Sequence, residues 1–304
     1  MKPDVSVVMA VHDDAPYLEE TIDSILSQDG LALELVVVDD GSTDGSREIV
    51  RRYAGLDQRV RIVEQENFGL TRALIRGCAI VRTEYVARQD AADVSRPGRL
   101  AAQAAALEAD EGLAFVSCWT DMCGPEWEFL YTRRNVDGPT HHGSVMFRKS
   151  AYDRVGGYRE EFYLAQDRDL WYRLEEVGRL RVLEQVLYAA RVLPAGRSST
   201  YRDIQLRLGG LARRAFELRQ EGRLESEVIR EARELRPGAT AGAASTAAAY
   251  YFIGEALRRN GDRRSIGYFR KSLALKTINV RTWVRLAQAG LHHGLCRASR
   301  WCRR

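Results

Sequence analysis

Three acidic clusters in this chain sit where carboxylates could share one task. Arg88-Gln89-Asp90-Ala91-Ala92-Asp93 follows the apolar-leaning run Tyr85-Val86-Ala87, and Asp39-Asp40-Gly41-Ser42 follows Leu35-Val36-Val37-Val38. The third cluster is Gln166-Asp167-Arg168-Asp169. Open α/β sheets bind their ligands outside the carboxyl ends of the strands. Carboxylates placed there can hold a divalent cation, receive hydrogen bonds from a ribose or a base, or take a proton. Asp90 and Asp93, three residues apart in a loop, can face one ion. Asp40, with Asp39 beside it, suits a ribose or a base, in competition with the simpler task of capping the next helix. Asp167 suits a general base, whereas Asp44 and Asp169 read as first-turn helix residues that favour the dipole.

Two further residue types bear on the same site. His141 and His142 precede the short strand Ser144–Phe147. His142 reads as the site candidate and His141 as an ordinary surface residue. Arg72, Arg88 and Arg191 could touch phosphates, with Arg88 foremost because it adjoins the acidic cluster.

The elements that must position these groups are legible from periodicity. Val5–Val11 is a β-branched apolar run, hence a buried strand. Asp13 and Asp14 before Pro16 signal a helix start, and Leu18, Ile22, Ile25 and Leu26 give that helix one apolar face. Leu33–Val38 is the second strand, and Ser42 and Thr43 are candidate caps for a helix burying Ile49, Val50 and Tyr53. Val60–Val63 and a stripe from Leu70 to Val81 follow. The alternation predicts a mostly parallel sheet with right-handed crossovers. Trp119–Pro139 has no period and reads as an extended loop. Tyr152–Tyr158 reads as a turn, and Leu180–Ala189 as a closing strand. From Tyr201 the chain looks entirely helical, with breaks at Gly222, Pro237-Gly238 and Gly261-Asp262. Ala247–Leu275 resembles one helix pair of tetratricopeptide type.

Bulk composition narrows the class. The chain has 304 residues, 45% hydrophobic and 29% charged, the balance of a globular protein. A net charge of +4 does not argue for nucleic acid. Five cysteines without CxxC spacing argue against a disulfide framework or a structural zinc site and fit a reducing compartment. Met1-Lys2-Pro3-Asp4 leads straight into a strand, so no signal peptide is expected, and no apolar run reaches membrane-spanning length.

VSVVMAVHDD, LELVVVDDGSTDGS, ENFGLTRAL, YVARQDAADVSRPGRL and HHGSVMFRKSAYDRVGGYREEFYLAQDRDLWYRL together resemble the successive motifs of family 2 glycosyltransferases. The resemblance runs in order over roughly residues 4 to 200. It implies an α/β GT-A fold, Rossmann-like with flanking helices, over residues 1–200, followed by an all-α region over 201–304. It further implies that Val11 and Asp40 contact the base and ribose of a nucleotide-sugar donor, with Asp39 beside them. Asp90 would open the DxD motif at the donor diphosphate and metal, with Asp93 as a second ligand. Asp167 would be the base of an inverting transfer, and His142, Gly157 and Tyr158 would lie on the acceptor side.

Departures from the family pattern concern the metal. Ala92 stands where a carboxylate ligand is usual, Gln166 replaces a Glu, and Leu193 stands where a histidine would close the Arg-x-His run at Arg191. A Mg²⁺ or Mn²⁺ site is therefore expected to be weakened. Either Asp90 and Asp93 hold the ion through water, or Arg191 and Arg197 neutralise the diphosphate without it; no organic cofactor is implied. The leading expectation is transfer of a sugar, UDP-linked by default with dTDP and GDP as alternatives, to a glycan or lipid-linked hydroxyl in surface polysaccharide or glycolipid assembly. The alternative is a nucleotide-sugar-binding or scaffold protein without turnover. A receiver-type phosphorylation domain would leave Asp167 unused. The apolar stripe Val280, Trp283, Val284, Ala287 and Leu291, flanked by Arg281, Arg285, Arg297, Arg300, Arg303 and Arg304, fits an interfacial helix at anionic lipid. A packed core helix with a solvated tail competes, and the family resemblance implies a cytoplasmic, membrane-adjacent enzyme.

Overall fold

The computed structural model describes residues 4–196, 200–235 and 242–301, with residues 291–301 described by backbone alone. Arg197 and Pro237-Gly238 lie outside the described residues, as do Arg303 and Arg304, and so do the side chains of Leu291, Arg297 and Arg300. The first half follows the expected alternation: β1 (Val5–Val11), α1 (Ala15–Leu26), β2 (Leu33–Asp40), α2 (Ser46–Leu56), β3 (Val60–Gln65), α3 (Leu70–Ile80) and β4 (Tyr85–Asp90). β1 pairs in parallel with β2 and β4, and β2 with β3. These strands are apolar on both faces because helices cover both faces. Val5, Val7, Met9 and Val11 face α1 through Leu18, Ile22 and Ile25. Val8 packs with Ala73, Leu74 and Cys78 of α3. The register sets Val11 opposite Asp39 and Ala10 opposite Asp90, so the acidic ends finish in line.

After β4 the sheet changes direction. The chain continues through β5 (Val94–Ser95), α4 (Arg99–Glu108), β6 (Leu113–Cys123), β7 (Phe129–Arg133), β8 (Met146–Arg148), α5 (Lys149–Arg154), α6 (Gln166–Glu175) and β9 (Arg179–Arg191). Among the described residues the nine strands run β3-β2-β1-β4-β8-β6-β9-β5, with β7 beside β6. β8 is antiparallel to β4 and β6, and β5 to β9. The sheet is thus mixed, parallel on one side and antiparallel on the other.

Three local expectations are corrected. Trp119–Pro139 is no loop: it holds the end of β6 and all of β7. Polar residues hide this strand's pattern because they are buried and paired, Ser117 Oγ with Ser144 Oγ at 2.9 Å and Thr120 Oγ1 with Thr140 Oγ1 at 2.6 Å. Ser42 and Thr43 do not cap α2, whose N-cap is Gly45 at φ 97°. They meet Asp13 instead: the Asp13 N–H donates to Ser42 Oγ and the Thr43 N–H to Asp13 Oδ1. Tyr152–Tyr158 is only partly a turn, since α5 extends to Arg154.

The chain packs as two compact units. The first comprises Met1–Asp121, Thr132–Ala190 and Gln205–Arg236; the second comprises Met122–Tyr131, Arg191–Ile204 and Pro237–Arg304. Composition sets a boundary near residue 200, but α7 (Arg202–Gln220) and α8 (Ser226–Glu234) fall mainly within the sheet unit. Specific pairs hold them there: Phe216 stacks on Tyr172 at 5.0 Å, Arg219 pairs with Glu176 at 2.7 Å, and Arg233 pairs with Glu161 at 2.8 Å. In the second unit, α9 (Ala243–Arg259) and α10 (Ser265–Leu275) form the helix pair expected over 247–275, and α11 (Val280–Trp301) follows. The missing Cβ of Gly254 admits the Phe269 ring, which would lie 2.9 Å from it. The Tyr268 hydroxyl donates to Glu128 at 2.6 Å.

Candidate active site

The site lies in the sheet unit, at the carboxyl ends of the parallel strands. β1 ends at the buried Val11, and β2 at two carboxylates that are both engaged within the chain. Asp39 is fully buried. It accepts from the Ser42 N–H at 3.3 Å and from Arg47 Nε at 2.7 Å. Asp40 accepts from Gln65 Nε2 at 2.7 Å and from the N–H groups of Phe68 and Gly69, both at 2.9 Å. Asp40 therefore holds the turn that opens α3, a step requiring φ 90° at Gly69. Just after β1 lies Asp14, whose Oδ2 accepts from the His12 N–H at 3.3 Å. Burial raises its carboxyl to about 6; the His12 bond opposes this, and the charges of Asp90 and Asp44 add to it.

β4 delivers the central group. Arg88 is buried and donates to Asp90 Oδ1 at 2.8 Å, to the Gln89 carbonyl at 3.1 Å and to the Val8 carbonyl. Burial alone would raise the Asp90 carboxyl; Arg88, His142 and His141 outweigh it and hold it below the usual range. The turn to Asp93 is fixed from two sides. The Gln89 amide donates to the carbonyls of Asp90 at 3.2 Å and Asp93 at 3.0 Å. The Thr21 hydroxyl of α1 lies 2.9 Å from the carbonyls of both Ala91 and Asp93.

His141 joins this pair. Its Nδ1 is 3.7 Å from Asp90 Oδ2 and 3.5 Å from Asp93 Oδ2. One ligand atom from each of the three residues lies within 4.8 Å of the others, the spacing of a metal site. Burial pushes the imidazole down to about 4 against the pull of Asp90, and its Nδ1 accepts from the Gly143 N–H at 3.2 Å, a bond that a metal would have to displace. The surface placement expected for His141 does not hold: the 3-10 turn His142–Ser144 that leads into β8 carries it to the strand ends, with a side-chain exposure of 23%.

Behind the cluster, His142 and Tyr158 are buried partners, Nε2 to hydroxyl at 2.9 Å, and Arg88 Nε approaches the same nitrogen at 3.4 Å. Burial, then Arg88, pushes His142 down to about 3. Gly157, at φ 68°, brings Tyr158 into place; a Cβ there would meet the Tyr152 ring and hydroxyl at 2.7 Å. Asp167 stands in the first turn of α6, where its Oδ1 accepts from the Arg168 N–H at 2.8 Å. Burial raises its carboxyl, and the charge of Asp90 adds to the rise, so both acids share one field.

The remaining sequence candidates sit differently. Arg72 pairs with Glu160 at 2.8 Å and lies over the exposed Phe68 ring. The Arg191 guanidinium lies 3.9 Å over the Trp127 ring, in the second unit. Ala92 is half-buried within the turn. Sequence reasoning missed His141, Asp14 and Tyr188 as parts of the constellation. Only Asp14 carried a local signal, its helix-start position.

Comparison with known proteins agrees with this picture. The family described as Glycosyl transferase family 2 matches residues 6–168, more than half of the chain. Over 203 residues the chain is 34% identical to EpsE of Bacillus subtilis, covering 62% of this chain and 73% of that protein. It is 26% identical to the chondroitin synthase of Pasteurella multocida over 61% of this chain but only 20% of the synthase. Among solved structures, the mannosyltransferase PcManGT of Pyrobaculum calidifontis, in complex with GDP-Man and Mn²⁺, aligns with a TM-score of 0.57 at 21% identity, covering 97% of this chain and 87% of that one. TarS 1–349 of S. aureus with UDP aligns at 0.52 and 17% identity, covering 95% and 87%. The chain belongs to glycosyl transferase family 2 and is a glycosyltransferase built on the GT-A fold.

Proposed function

We propose that the protein moves a sugar from a nucleotide-sugar donor, a UDP-sugar by default, to a hydroxyl acceptor with inversion at the transferred carbon. The observation that carries this reading is the cluster of Asp90, Asp93 and His141 at the end of β4, in the same electrostatic field as Asp167. In this reading Val11, Asp39 and Asp40 form the floor under the base and ribose, and Arg88 sets the charge of Asp90 beside the diphosphate. Arg72 would leave Glu160 to reach a phosphate. Asp167 removes the acceptor proton, a task its raised pKa favours. His142, Gly157 and Tyr158 form a rigid wall on the acceptor side.

The donor set fits a divalent cation: two carboxylates and a neutral imidazole with converging atoms. His141 thus offers a ligand where Ala92 and Leu193 offer none. A bound cation would neutralise charge on the departing diphosphate. An imidazole among carboxylates favours Mn²⁺ over Mg²⁺, which accords with the Mn²⁺ named for PcManGT. A metal-free version has its own support, because the Arg88–Asp90 pair at 2.8 Å already supplies a positive charge. The synthases among the relatives support a polysaccharide acceptor. Exposed Ile278, Val280, Trp283 and Val284 beside Arg281 support contact with a cytoplasmic membrane surface.

Transfer assays on Asp167→Asn test the reading. We expect loss of about 10²–10⁴-fold in kcat with nucleotide binding retained in a thermal-shift panel of UDP, dTDP and GDP. Unchanged turnover would refute Asp167 as base. Full activity in excess EDTA would leave the metal-free version standing, and a strict Mn²⁺ requirement would remove it.

A further inference from the structure

Tyr188, on β9, touches every member of the acidic cluster. Its hydroxyl donates to Asp93 Oδ2 at 3.0 Å and accepts from the Asp90 N–H at 3.2 Å. Its ring stacks on His141 with centroids 5.6 Å apart. On the ring lies the guanidinium of the buried Arg99, at 5.2 Å. The residue itself is fully buried. Its position is enforced: Gly143, two residues after His141, has no Cβ, and one built there would sit 1.9 Å from the Tyr188 oxygen. The pairing of Ser95 with Tyr188 fixes its height on the sheet.

We infer that Tyr188 is the positioning residue of a divalent-cation site formed by Asp90, Asp93 and His141. One hydroxyl fixes the Asp93 carboxylate and the turn at Asp90, while one ring face sets the plane of the imidazole. Such supporting bonds commonly govern ligand basicity and orientation. The inference rests on the metal reading above and goes beyond it, since it assigns a determinant of affinity to a residue that ligates nothing.

The test is titration of the full chain with Mn²⁺ alone, free Mn²⁺ being read by electron paramagnetic resonance, for wild type, Tyr188→Phe, Gly143→Ala and Asp93→Asn. Circular dichroism checks folding. Tyr188→Phe should raise the Mn²⁺ Kd about 10–100-fold. In transfer assays it should raise the Mn²⁺ activation constant by a similar factor while kcat at saturating Mn²⁺ changes far less. A packing role alone would not produce that split. Gly143→Ala, which displaces the ring from the other side, should weaken Mn²⁺ in the same sense and decides the matter if Tyr188→Phe does not fold. An unchanged Kd in folded Tyr188→Phe, with binding lost in Asp93→Asn, overturns the role of Tyr188 and leaves the metal reading intact. Absence of Mn²⁺ binding in the wild type overturns both.

Discussion

Two carboxylates in the site have raised pKa values, and each makes a pH-dependent prediction. Asp167 must be ionised to act as a base in the proposed reaction. Its raised pKa moves the acid limb of kcat/KM upward from the usual carboxylate range. A pH profile should show activity falling as pH drops through that raised value, and Asp167→Glu should shift the limb. Asp14 affects stability instead. Its carboxyl rises to about 6 in the folded chain from an ordinary 3.8, so the fold disfavours the ionised form. That cost is absent below pH 3.8, grows between 3.8 and about 6, and is complete above. Asp14→Asn should therefore stabilise the protein by up to about 3 kcal/mol at pH 7.5 and far less at pH 4, as read from urea melts. Equal effects at both pH values would refute the assignment. Asp39, Asp40, Asp90 and Asp167 were legible as candidates because each stands at a recognisable strand end or helix start. His141 stands beside His142 but reads as a surface residue, and nothing within a few residues of Tyr188 marks it. The acids meet through the parallel register of β1, β2 and β4, and His141 and Tyr188 reach them through the segment before β8 and along β9.

At the level of elements, the parallel half of the sheet was readable because its runs are apolar on both faces and its helices carry clean stripes. In the antiparallel half, Ser144–Phe147 and Leu180–Ala189 read as strands, but β6 was obscured by its buried hydroxyls and β5 by its brevity. Close packing in the readable half can be tested apart from the chemistry. Gly77 on α3 faces Val8: a Cβ would meet Val8 Cγ1 at 2.7 Å and Val38 Cγ2 at 3.1 Å. Gly77→Ala should cost about 1–3 kcal/mol in denaturant titrations, because α3 must lift from β1 and β2. The donor-side strand ends would move with it, so nucleotide affinity should fall in parallel. Stability lost with nucleotide affinity unchanged would show that the strand ends do not depend on this packing.

The whole molecule raises the question of where it works. No described helix is long and apolar enough to cross a membrane. The start of α11 and the turn before it nevertheless expose Ile278 at 89%, Val280 at 74% and Trp283 at 52%. Interfacial binding scales with buried apolar area and with attraction to anionic headgroups. Val280→Glu with Trp283→Glu should therefore reduce flotation on phosphatidylserine-containing liposomes several-fold without altering the melting temperature. Equal flotation would sink the membrane contact. One property of the sheet bears on how the protein is made. Tyr188 meets Asp93 across 95 residues of chain, and β9 pairs with β5 from the far end of the sheet unit. Non-local pairings of this kind form late in folding. A nascent chain can complete β1 to β4 and expose Asp90 and Asp93 long before Tyr188 leaves the ribosome. In the proposed metal reading, the Asp90–Asp93–His141 cluster would reach its final geometry only when the sheet closes, which would tie metal capture to the end of domain synthesis.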